Sequence, residues 1–495
     1  MKIGKLAACL PEAVLQGDTE VDITGIAYDS RQVKPGDLFV CIQGFRFDGH
    51  LFIDDAVEKG AAAVAAEEGR ELEHLSVPVI YVPDSRQALG LLSACFYDYP
   101  SRKLRLIGVT GTNGKTTTTY LIKSILECAG HKVGLVGTIQ NMIGDKVIPA
   151  EHTTPEASDL QGLFSQMAED GCTFAVMEVS SHALSLERTT GTEFDIAVFT
   201  NLTQDHLDFH SSLQHYLNAK TRLFAELERD EENNKAAVLN ADDEHSIYIA
   251  ERSKVPVITY GIEADADFRA VDIDVRPEGL SYLLEHEGEA LHVRLSITGH
   301  FNVYNSLAAL AACWAAGVEL DTAVKGLNST PLVPGRLEPV SLGQGFAVMV
   351  DYAHTPDGLE NVLKTVRGLT QGRSIVVFGC GGDRDKGKRA VMGEIAGRLA
   401  DVVIVTSDNP RSESPELICE AIGDGVRRTI GGKPWEIIVD RRQAIRRAIM
   451  MAEAGDTVLI AGKGHEDYQI LKDGIIHFDD REEASRALRE RLGQK

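Results

Sequence analysis

Between residues 104 and 129 an apolar, strand-like stretch passes into a helix-like one through Gly108-Val109-Thr110-Gly111-Thr112-Asn113-Gly114-Lys115-Thr116-Thr117. Few chain segments restrict the fold so tightly. Glycines at this spacing let backbone N–H groups wrap phosphates at a helix N-terminus, Lys115 adds a point charge, and the Thr116 hydroxyl suits magnesium. Val109 stands where the usual eight-residue phosphate loop has its first glycine. The plainer reading is a tight strand-to-helix turn; the strand and helix on either side favour a nucleoside triphosphate.

The surrounding pattern alternates. Strands are expected over 104–109, 133–137, 174–179 and 196–201, with helices over 114–129 and 158–169, which implies a mostly parallel sheet covered on both faces. The period shifts towards two over 267–297, an antiparallel insert, and a helix follows over 302–316. After a boundary at Leu332-Val333-Pro334-Gly335, strands at 347–352, 374–378, 402–406, 436–439 and 457–461 predict a second, Rossmann-like doubly wound domain. Before residue 100, short strands such as 37–42 and a helix over 87–97 predict a small α/β domain. A chain of 495 residues exceeds what one core supports. The expected organisation is three α/β domains, 1–102, 103–333 and 334–495.

Charge narrows the partners. Lysine and arginine total 50 against 74 acids, a net charge of -24, and such a field repels nucleic acids and anionic membrane surfaces. The eight cysteines (Cys9, Cys41, Cys95, Cys128, Cys172, Cys313, Cys380 and Cys419) have no metal or redox spacing and read as small buried hydrophobes in a reducing compartment. Met1 to Leu10 holds too short an apolar run for a signal peptide, and no stretch approaches a membrane span. A cytoplasmic monomer is expected, without nucleic-acid binding or membrane insertion.

Two side chains stand out chemically. Glu178 ends the apolar run Phe174-Ala175-Val176-Met177, where a charge is costly unless it meets a cation. His206 follows the next strand on a loop with Asp205, Asp208 and His210, and its alternative is a surface histidine. The phosphate loop, Glu178-Val179-Ser180-Ser181-His182, Asn201-Leu202-Thr203-Gln204-Asp205-His206-Leu207-Asp208, Phe301-Asn302-Val303-Tyr304-Asn305 and Val350-Asp351-Tyr352-Ala353-His354-Thr355-Pro356 occur in an order that resembles the Mur ligases and their folylpolyglutamate synthase relatives.

That resemblance, strongest to the diaminopimelate-adding branch, implies an N-terminal UDP-binding domain, a central ATPase and a C-terminal amino-acid domain. It implies ATP bound by Gly111, Thr112, Asn113, Gly114, Lys115, Thr116 and Thr117, with Asn302 and Asn305 on adenine, Arg336 on phosphate and Asp351 on ribose. Thr116, Glu178, His206 and a carbamylated Lys220 would hold magnesium; Lys115, Glu178, His206 and Lys220 would be the catalytic set. Read alone, Lys220 is a solvated lysine. Ser30 within Asp29-Ser30-Arg31, and the segment Gly44 to His50, would take uridine diphosphate, although alone they read as turns. Thr153, Thr154, Ser180 and Arg188 would hold the muramoyl dipeptide. Asp408, Asn409, Pro410 and Arg411, with Arg384, Gly462 and Glu466, would hold the incoming amino acid. Here Arg411 and Asn409 would take its far carboxylate, and Gly462 and Glu466 the neighbouring ammonium.

The implied reaction joins meso-diaminopimelate to UDP-N-acetylmuramoyl-L-alanyl-D-glutamate through an acyl phosphate, with His182 or His354 as possible proton acceptors. A phosphate-loop switch or kinase, a folylpolyglutamate synthase and a lysine-adding ligase are the alternatives.

Overall fold

Strands form in this chain where aliphatic residues run uninterrupted. Val402–Val405 reads Val-Val-Ile-Val with every side chain buried, as a strand covered on both faces requires. The computed structural model describes residues 1–44, 47–72, 74–205, 209–227 and 235–494. In it such strands assemble into three sheets with helices packed on them, the three-domain α/β architecture that the alternation implies.

The N-terminal sheet has the order Val14–Gln16, Val79–Val82, Ala63–Glu67, Asp37–Val40, Gly25–Ala27. Helix Ser85–Phe96 begins where the Asp84 carboxylate accepts the Arg86 and Gln87 N–H groups, and it buries Leu89 and Leu92 against Leu38 and Val40. One sequence expectation fails here. Cys9 and Cys95 are joined as a disulfide and Cys128 is exposed, so the cysteines are not uniformly small buried hydrophobes. Residues 86 apart meet because the N-terminal helix Ile3–Ala7 packs on Ser85–Phe96.

In the eleven-stranded central sheet, Arg105–Thr110 lies between Phe174–Glu178 and Ile196–Phe199, parallel to both. Helices Lys115–Cys128 and Phe301–Ala315 cover one face; Ala157–Glu169 and Leu213–Ala225 cover the other. Strands Phe268–Arg276, Gly279–His286 and Glu289–Leu295 are antiparallel as expected. They extend the edge of this same sheet, because Phe268 pairs in parallel with Tyr260. The opposite edge carries a hairpin, Gln140–Ile143 with Lys146–Pro149, too short to register as periodicity. The strand order reverses at Arg105–Thr110, so its C-terminal end opens into a ligand crevice.

The C-terminal sheet has the order Glu338–Pro339, Ala347–Asp351, Thr457–Ala461, Ser374–Phe378, Val402–Val405, Trp435–Ile437. Helices Pro356–Leu369, Lys388–Leu399 and Pro415–Thr429 pack on one face, and Arg441–Met451 and Asp480–Leu492 on the other. A separate hairpin, Tyr468–Leu471 with Gly474–His477, follows the strand Thr457–Ala461. Among the described residues no helix is long and apolar enough to cross a membrane.

Candidate active site

The phosphate loop departs from the common pattern for a structural reason. Val109 is still in the strand, paired with Glu178 and Val198, so the turn begins at Gly111 (φ +147°) and ends at Gly114 (φ +87°). A Cβ on Gly111 would strike the Thr200 hydroxyl, and one on Gly114 would strike Asn305 Oδ1. Lys115 Nζ donates to the carbonyls of Gly111 (2.9 Å) and Thr112 (2.8 Å), and burial lowers its pKa. Asn113 N–H donates to Asn201 Oδ1 (3.0 Å), and its side-chain amide donates to Asp357 Oδ2 (2.6 Å) on a C-terminal-domain helix.

Glu178 is 1% exposed and both of its carboxylate oxygens accept hydrogen bonds. It accepts the Thr116 hydroxyl (3.0 Å), the Thr138 N–H (2.8 Å) and the Thr138 hydroxyl (2.9 Å). Sequence reasoning missed Thr138, although its place at the end of Val133–Val136, beside Glu178's strand, could have pointed to it. Arg336 Nη2 donates to the same Thr116 hydroxyl (3.0 Å). Hydroxyl and carboxylate oxygens converging in a buried site are the donors that a hard cation takes.

Lys220 lies on Leu213–Ala225, a helix that Ser212 caps by accepting the His215 N–H. It is 1% exposed, which removes the solvated-lysine alternative. Its Nζ donates to the Gly111 carbonyl (2.7 Å) and sits 4.4 Å from the Tyr216 ring centroid. Burial first, and the Lys115 charge second, hold its pKa well below the ordinary lysine value. A neutral amine is the form that adds carbon dioxide. His206, with Leu207 and Asp208, lies outside the described residues, as do Phe45 and Arg46. Among the described residues no three His, Cys, Asp or Glu side chains cluster as a metal site.

A cavity of about 600 Å³ opens between the central and C-terminal sheets, walled by Asn113, Gly114, Thr117, Asn305, Arg336 and Asp351 among others. Asn302 stands behind this wall. It donates to the Thr298 carbonyl (2.7 Å) and accepts from Asn305 Nδ2 (2.8 Å), so it orients Asn305. Asp351 accepts the N–H groups of Leu337 and Ala353, each at 2.7 Å, and burial raises its pKa. Tyr352, Thr355 and Asp357 also line the cavity; all three belong to or adjoin a motif already singled out, yet no role had been given to them. His354 donates Nδ1–H to the Tyr352 carbonyl (2.8 Å), and burial takes its pKa down to about 4. That is too weak a base to hold the amine proton at neutral pH.

Near Glu178 the dipeptide candidates knit together. The Thr154 hydroxyl donates to the Glu178 carbonyl (2.8 Å) and accepts the Ser180 N–H (3.1 Å). Arg188 donates to the Thr154 carbonyl (3.0 Å) and pairs with Glu156 at 2.7 Å. The Thr153 hydroxyl donates to the Thr138 hydroxyl oxygen (3.1 Å), whose own hydrogen goes to Glu178. Ser30 is apart from this group, in the N-terminal domain, where its carbonyl accepts Lys59 (3.0 Å). Beside it Arg31 folds back on Asp29 (2.7 Å).

The amino-acid candidates gather at the ends of three C-terminal strands, Ser374–Phe378, Val402–Val405 and Thr457–Ala461. Arg411, at φ +52°, donates through Nη1 to the carbonyls of Gly382 (2.9 Å) and Asn409 (3.4 Å). Its Nε and Nη2 donate to no acceptor among the described residues. Arg384 is exposed beside Gly381. Asn409 is braced from within: Oδ1 accepts Lys463 (3.1 Å) and the Ile470 N–H (2.9 Å), while Nδ2 donates one of its two hydrogens to Glu466 (2.9 Å). Burial, then the Asp408 charge, raises the pKa of Glu466.

Family models match along the chain: the Mur ligase family catalytic domain at residues 22–97, the Mur ligase middle domain at 109–313 and the Mur ligase glutamate ligase domain at 335–464. The chain is 50% identical over 493 residues to UDP-N-acetylmuramoyl-L-alanyl-D-glutamate–2,6-diaminopimelate ligase of Geobacillus thermodenitrificans, covering 99% of this chain and 100% of the relative. A solved structure of an enzyme with that name is similar at 33% identity and a TM-score of 0.69, with 99% of each chain covered. MurF ligase of Thermotoga maritima, solved in complex with ADP, shares the fold at 21% identity and a TM-score of 0.63, over 95% of this chain and 98% of that one.

Proposed function

This chain belongs to the Mur ligase family, and from that membership we propose that it is an ATP-dependent peptide ligase of peptidoglycan precursor synthesis. It adds meso-diaminopimelate to the D-glutamate of UDP-N-acetylmuramoyl-L-alanyl-D-glutamate. The observation that carries this reading is the pairing of two receptors across one cleft. The phosphate loop with Glu178 ends the central sheet, Arg411 and Glu466 end the C-terminal sheet, and Asn113 bonds to Asp357 between them (2.6 Å). On this reading residues 1–102 hold the uridine diphosphate, 103–333 the ATP and 334–495 the amino acid. An enzyme that draws on ATP and lacks a membrane-spanning helix among its described residues suits the cytoplasm.

A carboxylate is a poor electrophile, so the γ-phosphoryl group passes from ATP to the D-glutamate side chain, forming the acyl phosphate and ADP. The diaminopimelate amine then attacks the acyl carbon, the amide bond forms, and phosphate leaves with the oxygen it received. Lys115 and Arg336 face the charge that builds on the phosphoryl oxygens. Asn302 holds Asn305 against the base, and Asp351 faces the ribose. Thr116, Glu178, His206 and a carbamylated Lys220 would hold magnesium, which would supply further charge neutralisation. Arg411 keeps two donors for the far carboxylate, which lysine lacks; this favours diaminopimelate over the lysine-adding alternative.

Phosphate release with ATP, the muramoyl dipeptide and diaminopimelate, omitting one at a time, tests the reading. Release is expected only with all three. Release without the muramoyl dipeptide, or equal turnover of lysine, would overturn it.

A further inference from the structure

Lys463 has no role in the reaction described above, yet its side chain is fully buried. Gly462 (φ +120°) and Gly464 (φ +55°) flank it. These left-handed positions turn the chain on both sides of the lysine as it leaves the strand Thr457–Ala461. Nζ donates to the Tyr468 carbonyl (2.6 Å), Asn409 Oδ1 (3.1 Å) and Glu466 Oε2 (3.2 Å), with Asp408 Oδ1 at 3.5 Å. An ammonium has three donors and no acceptor, so none remains for a ligand.

Its partners are the residues that would meet the amino acid. Glu466 Oε2 is occupied by Lys463 and Asn409, while Oε1 accepts nothing among the described residues. Gln469 Nε2 donates to the Asp408 carbonyl (2.6 Å), and the Arg411 N–H donates to the Ile470 carbonyl (3.1 Å). The hairpin is thereby stitched to the loop that carries Arg411. Arg441, fully buried and paired with Asp480 at 2.7 Å, donates to the carbonyls of Ser407 (3.4 Å) and Ala461 (2.9 Å). Lys463 and Arg441 are held among the carboxylates of Asp408, Glu466 and Asp480, with Arg411 beside them. A zwitterionic end group offers a carboxylate to Arg411 and an ammonium to Glu466. A terminus with an ammonium alone leaves the Arg411 donors unmatched.

We propose that Lys463 is the positioning residue of the amino-acid site: it fixes Glu466 and Asn409 as one bracket beside Arg411, so that the site selects a zwitterionic amino-acid terminus. This rests on the diaminopimelate reading above.

Steady-state kinetics of the full chain with Lys463→Met provides the test. The KM for diaminopimelate should rise by about 100-fold, as expected when charged hydrogen bonds organising a ligand are lost. The KM values for ATP and the muramoyl dipeptide should stay within about twofold, and preference for diaminopimelate over lysine should fall by about tenfold or more. An unchanged KM for diaminopimelate, or a parallel rise in all three KM values, would overturn the proposal. Should Lys463→Met be too unstable to assay, Lys463→Arg serves instead. Its guanidinium cannot meet the same three acceptors, so diaminopimelate KM should still rise by about tenfold with ATP KM unchanged; no rise overturns the proposal. Failure of the unaltered enzyme to turn over diaminopimelate would instead sink the parent reading.

Discussion

Lys220 shows how far surroundings outweigh residue type. The same side chain on an exposed helix face would keep an ordinary lysine pKa, but here burial first and the Lys115 charge second hold it well below that value and disfavour the ammonium. Lys220→Ala is expected to lose activity by about 100-fold or more, the scale of removing one charge-stabilising group. Added formate or acetate should restore part of it by supplying the missing anionic oxygen. Isotopically labelled carbon dioxide should be retained by the unaltered chain and not by the variant. Full activity in Lys220→Ala, or a mass without the carbamate, would dismiss the assignment. Asn409 carries a related lesson: with Oδ1 taken by Lys463 and Ile470, it acts by holding its neighbours.

Helices Lys388–Leu399 and Pro415–Thr429 follow the loops that carry Arg384 and Arg411, so their spacing sets those loops. They meet through glycines. A Cβ on Gly393 would overlap the Ile422 carbonyl, and one on Gly425 the Ala390 carbonyl. In an open helix, glycine to alanine stabilises by roughly 1 kcal/mol. Here the obstructing atoms are backbone and cannot rotate aside, so overpacking at about 1–3 kcal/mol should win. Gly393→Ala should therefore unfold at lower urea concentration than the parent and show weaker diaminopimelate affinity. A midpoint shifted upward would refute the packing argument.

Across the whole molecule, two buried histidines of the C-terminal domain have pKa values far below the usual one. Burial, aided by Arg336, takes His465 to about 3, and burial takes His354 to about 4. An unfolded histidine titrates near 6.5. Each folded value is depressed, so the unfolded chain binds more protons in between, and stability rises with pH over that window. It is fully present above about 6.5 and drains as pH falls, towards about 4 for His354 and about 3 for His465. Glu466 and Asp351, with pKa values raised chiefly by burial, act in the opposite direction. The clean comparison is therefore between parent and variant. The drop in Tm between about pH 7.5 and pH 5 should be smaller in His465→Gln than in the parent, with equal drops ruling the mechanism out.

Local chemistry explains what could be read directly from the chain. Short runs rich in Val and Ile and bounded by turn residues favour strands buried on both faces, and glycines at 111 and 114 followed by Lys115 favour a tight loop at a helix start. Hence the α/β class, the parallel sheets and the phosphate loop were all legible before any coordinates. The motif order carried the family and, by resemblance, candidates for the residues of the site. The disulfide between Cys9 and Cys95, the sharing of one sheet by Tyr260 and Phe268, and the Thr138 contacts to Glu178 were not legible. Nor was the bracket that Lys463 builds from Asn409, 54 residues away. Such contacts depend on how separate strands end beside one another, and a lysine or asparagine has the same local propensity whether it is solvated or enclosed. Sequence by itself determined which elements form and which chemistry is on offer; only tertiary packing decided which charges are stripped of water, because desolvation depends on neighbours far away along the chain.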